Sequence, residues 1–455
     1  MTDQKRSASR AIVLGASMAG LLTARVLAEA YDDVIVVERD PLTDHDCSVP
    51  HVCPRRGVPQ DYHVHGLLTR GRLLIEEMFP GITDELLASG AVAGDVTDDV
   101  LWVVNGRHLP RTHSDMLMLS LSRPHLEQRV RARVRALPNV RFLVRHSAVA
   151  PLLAPGERRV VGVTVTDTAG TRDLRGDLVV DTTGWRSRTP TWLERLGYPE
   201  VEEERQNVGV GYATQYFRLT PDAMKGVISE MVAASPASPR GAMSLRIEGG
   251  RTVVTAFGFR GDHAPTDPEA YLAYLKSLSA PDIYETVRGQ EPLADPVAFR
   301  FPYNMRRRYE RLTDLPEGLL VLGDAVCRLN PIYGQGTTVA ALETTVLRDH
   351  VTRFGGARPT DYFAAIAEHA VDDVWHQTTS TDLAFPGVEG ERTEAWRQRQ
   401  ESMGELLDAA VHDPSLLTAY ARVIYLMDPP SALAQPRIRR AVRAARENEQ
   451  PRAGI

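Results

Sequence analysis

Three short stretches, far apart in the chain, limit what these 455 residues can fold into more than any other feature does. Gly15-Ala16-Ser17-Met18-Ala19-Gly20 follows the apolar run Ala11–Leu14. Asp181-Thr182-Thr183-Gly184 follows Asp177–Val180 and leads to Arg186 and Arg188. Gly323-Asp324 follows Gly318–Leu322 and continues to Pro331, Gly334, Gln335 and Gly336. Short, continuous, apolar and β-branched runs are the pattern of parallel strands covered on both faces. A glycine-rich turn after such a strand predicts an α/β fold, with its ligand crevice at the carboxyl ends of the strands.

In the first stretch, Gly15 permits a tight turn and Gly20 lets the next helix pack close to the sheet. The spacing predicts a helix over about 17–30, with Leu22, Val26 and Ala30 on one stripe. The N–H groups at its start, favoured by the helix dipole, suit a pyrophosphate. The second strand, Val34–Val37, ends at Glu38, whose carboxylate can accept from both ribose hydroxyls and would repel a 2′-phosphate. Ser17 stands where the motif has its middle glycine; its Cβ crowds the pyrophosphate and its hydroxyl can donate to it.

In the third stretch Asp324 is either a ligand for a polyol chain or a helix N-cap. A second helix, from Thr337 to about Phe354, offers its N-terminus to an anion. The middle stretch either holds its own backbone through Asp and Thr hydrogen bonds or lines the crevice. Arg123-Pro124 opens a helix with Leu126, Val130 and Val134 in register; Arg123 is either a surface arginine or a cofactor ligand.

With these stretches in this order, the chain resembles the class A flavoprotein monooxygenases, typified by para-hydroxybenzoate hydroxylase. Arg55–Leu68 with the His63/His65 pair, the Asn330–Gly336 turn and Trp375–Pro386 are similar to bacterial polyketide epoxidases of the monensin and lasalocid type. The resemblance implies a Rossmann-like FAD-binding domain of glutathione reductase type, an inserted antiparallel-sheet substrate domain and a C-terminal helical region. It implies FAD held by Gly15, Ser17, Met18, Ala19, Gly20, Glu38 and Arg39, by Arg56, Val58, Arg123 and Val149, by Asp181 and Gly184, and by Asp324, Pro331, Gly334, Gln335 and Gly336. NAD(P)H would be the reductant. O2 would add at flavin C4a, and the distal oxygen of that hydroperoxide would pass to an alkene or electron-rich ring. The flavin carries this chemistry, so no side chain is expected to be catalytic. The expected activity is epoxidation or hydroxylation of a bulky, apolar polyketide- or terpenoid-like intermediate. An aromatic hydroxylase and a flavin-linked isoprenoid reductase are the alternatives. A flavin-dependent halogenase would bring a Trp-rich stretch and a lysine near the end of the first domain, and neither is present in the sequence.

Composition narrows the class. With 43% hydrophobic and 25% charged residues the chain reads as an ordinary globular protein. A net charge of -6 argues against a nucleic-acid surface. Cys47, Cys53 and Cys327 make neither a disulfide framework nor a zinc site, which fits a cytoplasmic enzyme. No apolar run is long enough to span a membrane. The His63/His65 pair lacks a third ligand, so no metal is expected; the pair would hydrogen-bond a carbonyl or cap a pocket. The oligomeric state is left open.

The expected cofactor domain is discontinuous: 1–75, 120–195 and 305–355. Residues 96–119 and 205–304 form the expected substrate domain, and 356–455 a helical region supporting the cofactor domain. Hairpin patterns lie at Val160–Asp177 and Trp102–Leu109. Val208–Arg218, Ala242–Ile247, Thr252–Arg260 and Ala298–Tyr303 alternate as strands of one sheet. Their aromatics Tyr212, Tyr216, Phe257, Phe259 and Phe301 either line an apolar substrate pocket or are plain core.

Overall fold

The computed structural model describes residues 9–42, 55, 57–356 and 358–449. Two sheets organise them. The first has five parallel strands in the order Leu319–Val321, Leu178–Asp181, Arg10–Leu14, Asp33–Glu38 and Val140–Val144. These β-branched runs are covered on both faces, and Ala11, Ile12, Val13, Val34 and Val180 are fully buried. The register pairs Leu14 with both Asp181 and Val37, and Asp181 with Val321. The strands therefore end level, and the turns that follow them emerge side by side.

Three helices frame that edge: α1 (Met18–Leu27), α2 (Arg123–Arg135) and α3 (Gly336–Phe354). Ser122 caps α2 by accepting from the His125 N–H, and Leu126, Val130 and Val134 form its buried stripe. α3 ends at Gly355 in the left-handed region, φ 64°.

The second sheet has nine strands and is almost wholly antiparallel. Its middle is Val297–Arg307, Glu203–Arg218, Arg251–Phe259 and Arg240–Ile247. Ser229–Val232 pairs in parallel with Val100–Val104, which turns through Asn105-Gly106 into Arg107–His108. The opposite edge is Cys327–Arg328, supplied by the segment that follows Gly323-Asp324. The Val160–Asp167 and Gly170–Arg175 hairpin also forms, in a separate three-stranded sheet. The architecture is thus α/β, a Rossmann-like parallel sheet with an inserted antiparallel sheet and a helical C-terminal region.

That C-terminal region divides. Pro359–Ile366 and α4 (Asp372–Asp382) pack on the parallel-sheet core through Tyr362, Phe363, Val374 and Trp375. α5 (Glu394–Ala409), α6 (Pro414–Ile424) and α7 (Pro436–Glu449) do not. Leu406, Leu416, Leu417, Ala421 and Ile438 join Trp102, Tyr216 and Leu245 in the core of the antiparallel sheet. The expectation that the whole region supports the cofactor domain is corrected on this point: the apolar stripes of α5–α7 find their partner on the other sheet. Among the described residues no helix is long and apolar enough to cross a membrane.

Candidate functional site

The three glycine turns meet. An added Cβ at Gly15 (φ +102°) would stand 3.0 Å from the Thr182 carbonyl oxygen, and one at Gly323 (φ +74°) 2.9 Å from the Ala19 Cβ. One at Gly184 would stand 3.9 Å from the Asp324 Cβ. At Gly20 it would lie 2.0 Å from the Gly15 carbonyl oxygen, so only glycine lets α1 approach the strand this closely.

A single crevice of about 2790 Å³ runs from these turns into the space between the two sheets. That exceeds the ~300–1,000 Å³ of a pocket for one small molecule. Ser17, Met18, Ala19, Arg39, Val58 and Arg123 line it at the α1 end. Gly184, Asp324, Pro331, Gly334, Gln335 and Gly336 line it further along. The first N–H groups of α1 and α3 have no partners within their own helices. Burial raises the Asp324 carboxyl pKa, with Arg328 and Arg123 opposing the shift. No hydrogen bond to that carboxylate is present among the described residues.

Other expected ligands sit differently. The Asp181 carboxylate is fully buried and accepts from the Thr183 N–H and the Thr183, Ser187 and Thr189 hydroxyls at 2.6–2.8 Å. It holds its own loop, and Thr182, Thr183 and Gly184 face the crevice in its place. Val149 is outside the crevice lining; its carbonyl accepts from the Trp192 indole at 3.0 Å. Arg56 lies outside the described residues, as do Cys47 and Cys53. Glu38 already accepts from the Ala16 N–H at 2.7 Å and the Asp40 N–H at 2.9 Å, and pairs with Arg55 at 2.9 Å. A carboxylate has about four acceptor positions, so one remains.

Beneath the α1 end lies a buried charge network that the sequence does not announce. Glu127, 1% exposed, accepts from Arg55, from Arg123 at 3.3 Å and from Arg131 at 3.3 Å. Arg123 also donates to the Ser17 hydroxyl at 2.9 Å and the Thr337 hydroxyl at 3.1 Å, tying α1 to α3. Its Nε is buried without a partner, as is Asp61 Oδ1 at 4.0 Å. Burial and the Glu127 charge raise the Asp61 carboxyl pKa. Arg123 carries a sequence signal as the residue before a helix-opening proline, and Arg55 and Asp61 lie in the Arg55–Leu68 stretch; Glu127 and Arg131 carry none.

The cradle fits FAD on these observations: glycines where a Cβ would clash, a carboxylate without a donor, an orphaned guanidinium nitrogen and two helix starts facing one long crevice.

At the other end the sheet side of the crevice is apolar and the helix side mixed. Tyr212 and Phe257 line it, with Trp102, Met118, Met231 and Met243 from separate strands. Tyr216 instead donates to the Tyr62 carbonyl at 2.8 Å, Phe259 stacks on Phe385 at 3.7 Å, and Phe301 lies against Arg328 at 4.3 Å. These three are core. Helices α5–α7 supply the far wall, with Trp396, Met403, Tyr420, Ile424, Ile438 and Val442 interleaved by charged residues such as Arg399, Glu405, Arg439 and Arg443. The four-residue spacings of Tyr420 with Ile424 and of Ile438 with Val442 are the signal of this in the sequence.

His63 and His65 line the crevice between the two ends. His63 Nδ1 lies 2.8 Å from the Thr214 hydroxyl, which lies 2.5 Å from the Thr255 hydroxyl. His65 Nδ1 lies 2.8 Å from the His63 carbonyl. A carbonyl only accepts, so His65 carries its proton on Nδ1 and keeps a lone pair on Nε2. Burial pushes the pKa of His63 down to about 3 and that of His65 to about 4, so both rings are neutral near pH 7. No metal-binding group of three or more His, Cys, Asp or Glu occurs among the described residues.

No protein-family profile matches the chain. It is 31% identical over 435 residues to Protein Rv3254 of Mycobacterium tuberculosis (strain ATCC 25618 / H37Rv), covering 92% of this chain and 90% of that one. Among solved structures it resembles p-nitrophenol 4-monooxygenase PnpA from Pseudomonas putida DLL-E4, with a TM-score of 0.61, 17% identity, and 92% of this chain and 97% of that one covered. It also resembles the flavin-dependent brominase Bmp2, with a TM-score of 0.57, 13% identity, and 96% of this chain and 93% of that one covered. At these identities the likeness is one of fold.

Proposed function

The chain belongs to the family of the mycobacterial Protein Rv3254, and we propose that it is an FAD-dependent monooxygenase using NAD(P)H and O2. Its substrate is a bulky, apolar polyketide- or terpenoid-like intermediate, which it epoxidises or hydroxylates. The observation that carries this reading is the continuity of the crevice: a dinucleotide cradle at one end opens directly into a chamber whose sheet side is apolar at the other.

In this reading the turn at Gly15 and the start of α1 take the pyrophosphate, and Glu38 and Arg39 the adenosine. Asp324 takes the ribityl chain, and Val58 with Pro331–Gly336 the ring. Arg123 joins the starts of α1 and α3 and keeps positive charge beside the phosphates. Residues 1–75, 120–195 and 305–355 form the cofactor domain, and 96–119 with 205–304 the substrate domain, to which α5–α7 add a wall. Bound FAD, once reduced, supplies an activated oxygen atom for transfer to an alkene or electron-rich carbon. The chain's part is to orient the substrate and exclude water. Trp102, Met118, Met231, Met243 and Phe257 do the second and leave few fixed polar groups for the first.

A second reading, hydroxylation of a phenol, has no general base to support it: His65 lines the crevice, but a ring whose pKa is pushed down to about 4 accepts a proton poorly near pH 7. Halide chemistry has less support: among the described residues no lysine lines the crevice.

The deciding experiment supplies purified protein, FAD, NAD(P)H and ¹⁸O2 to an extract of producer-cell metabolites, with and without bromide. The expected result is one compound that gains a single labelled oxygen. Addition of two hydrogens would assign an isoprenoid reductase, and a brominated product a halogenase; either overturns the monooxygenase reading.

A further inference from the structure

One buried carboxylate has no part in the scheme above. Asp382 is the last residue of α4 and is fully buried. The carboxyl end of a helix repels negative charge, and burial of a charge costs more still. Burial lifts the Asp382 carboxyl to about 6, outweighing the hydrogen bonds that favour its ionised form. Among the described residues no cation pairs with it. Three neutral donors surround it instead: Asn304 Nδ2 at 2.7 Å, Asn330 Nδ2 at 2.9 Å and the Tyr333 hydroxyl at 2.7 Å.

Two of those donors belong to the turn that precedes α3. Asn330 shapes this turn by accepting from the Ile332 N–H at 3.3 Å, and Gly334 closes it with φ +68°. The far end of the turn is gripped by the same face of α4: one helical turn before Asp382, the Thr378 hydroxyl donates to Gln335 Oε1 at 3.3 Å. Gln335 is the residue on which α3 starts. Tyr333 and Gln335 both line the crevice, whereas Asp382 does not.

We propose that Asp382, with Thr378, is a positioning residue for the cofactor: from the C-terminal region it clamps the Asn330–Gln335 turn so that the start of α3 and the Tyr333 ring face the isoalloxazine. This rests on the FAD reading. It places an acceptor contributed late in the chain under the turn that the sequence marks as cofactor-binding, and it gives the Trp375–Pro386 stretch a task. An acceptor-only group is required there because every neighbour is a donor; an amide would turn N–H against N–H.

The test measures FAD affinity by flavin fluorescence quenching, and the visible circular dichroism of the bound flavin, in wild type, Asp382→Asn, Tyr333→Phe and Thr378→Val. Asp382→Asn is expected to raise the FAD Kd about tenfold and to change the dichroism, the cost of leaving a buried donor unmatched. Tyr333→Phe is expected to raise it about threefold, and the two together by less than the product, since they share one contact. Wild-type affinity and an unchanged dichroism in Asp382→Asn overturn the proposal. Should that variant not fold, unchanged values in both Tyr333→Phe and Thr378→Val overturn it equally. Asp324→Ala is the control: a wild-type protein that takes up no FAD fails the cofactor reading itself, whereas loss confined to Asp324→Ala leaves that reading standing and removes only the role of Asp382.

Discussion

The turns under one end of the crevice are packed backbone to backbone, whereas the other end is built from side chains. At Gly15, Gly20 and Gly323 any Cβ meets main chain or a neighbouring Cβ within 3.0 Å. Around Tyr212, Met243 and Tyr420 the walls are side chains from strands and helices that share no local pattern. A turn packed on backbone tolerates almost no substitution; a side-chain wall can be reshaped one residue at a time. Substitutions at the first end should therefore cost folding and cofactor, and at the second end only the choice of substrate.

The sharpest way to break this contrast is Gly20→Val. Its Cβ would stand 2.0 Å from a carbonyl oxygen, and nothing there can yield cheaply. The expected loss is above about 4 kcal/mol, seen as failure to fold or to retain flavin in a thermal melt. Normal FAD content in that variant would show that α1 does not sit as described. Asp324→Ala comes next: it keeps the fold but removes the carboxylate that the glycine turns present to the crevice, and should raise the FAD Kd roughly ten- to a hundredfold by equilibrium dialysis.

Phe257→Ala addresses the other end. It should raise KM for an apolar substrate by about tenfold, the worth of one lost apolar contact. Flavin content should stay at the wild-type level; a parallel loss of FAD would mean that the two ends are not separable. The smallest effect concerns pH. His63 and His65 are held neutral, with pKa values of about 3 and 4 against 6.5 in the unfolded chain. The stability they contribute is complete above about 6.5 and is lost as pH falls below it, by about 1 kcal/mol per histidine between pH 6.5 and 5.5. Urea melts of His65→Gln over that range should show a shallower decline than wild type.

The same contrast explains what could be read in advance. The parallel sheet and its turns were legible because each needs particular residues at fixed offsets: β-branched runs, then Gly15 and Gly20, then Glu38. The strands of the second sheet were legible by alternation. What alternation does not give is which alternate positions see the crevice, so it does not separate Tyr212 and Phe257 from Tyr216, Phe259 and Phe301, which pack inward. Asp181 sits at a strand end, where both readings of it began alike; only the three nearby hydroxyl groups decide that it binds its own loop. Glu127 carries no motif, and Asp382 lies in the Trp375–Pro386 stretch without being marked out within it. Their roles depend on partners brought from other elements, and a helix pattern records only that they lie on a buried face.

The far wall formed by α5–α7 is one unbroken piece of chain, joined to the turn before α3 where Gln335 Nε2 donates to the Ile424 carbonyl at 3.3 Å. A lone genetic crossover between Phe385 and Glu394 would trade the entire roof for another. Because that bond is to main chain, a new roof need offer only a backbone carbonyl at the same place, and descendants of such an exchange would inherit the glycine turns with a new appetite.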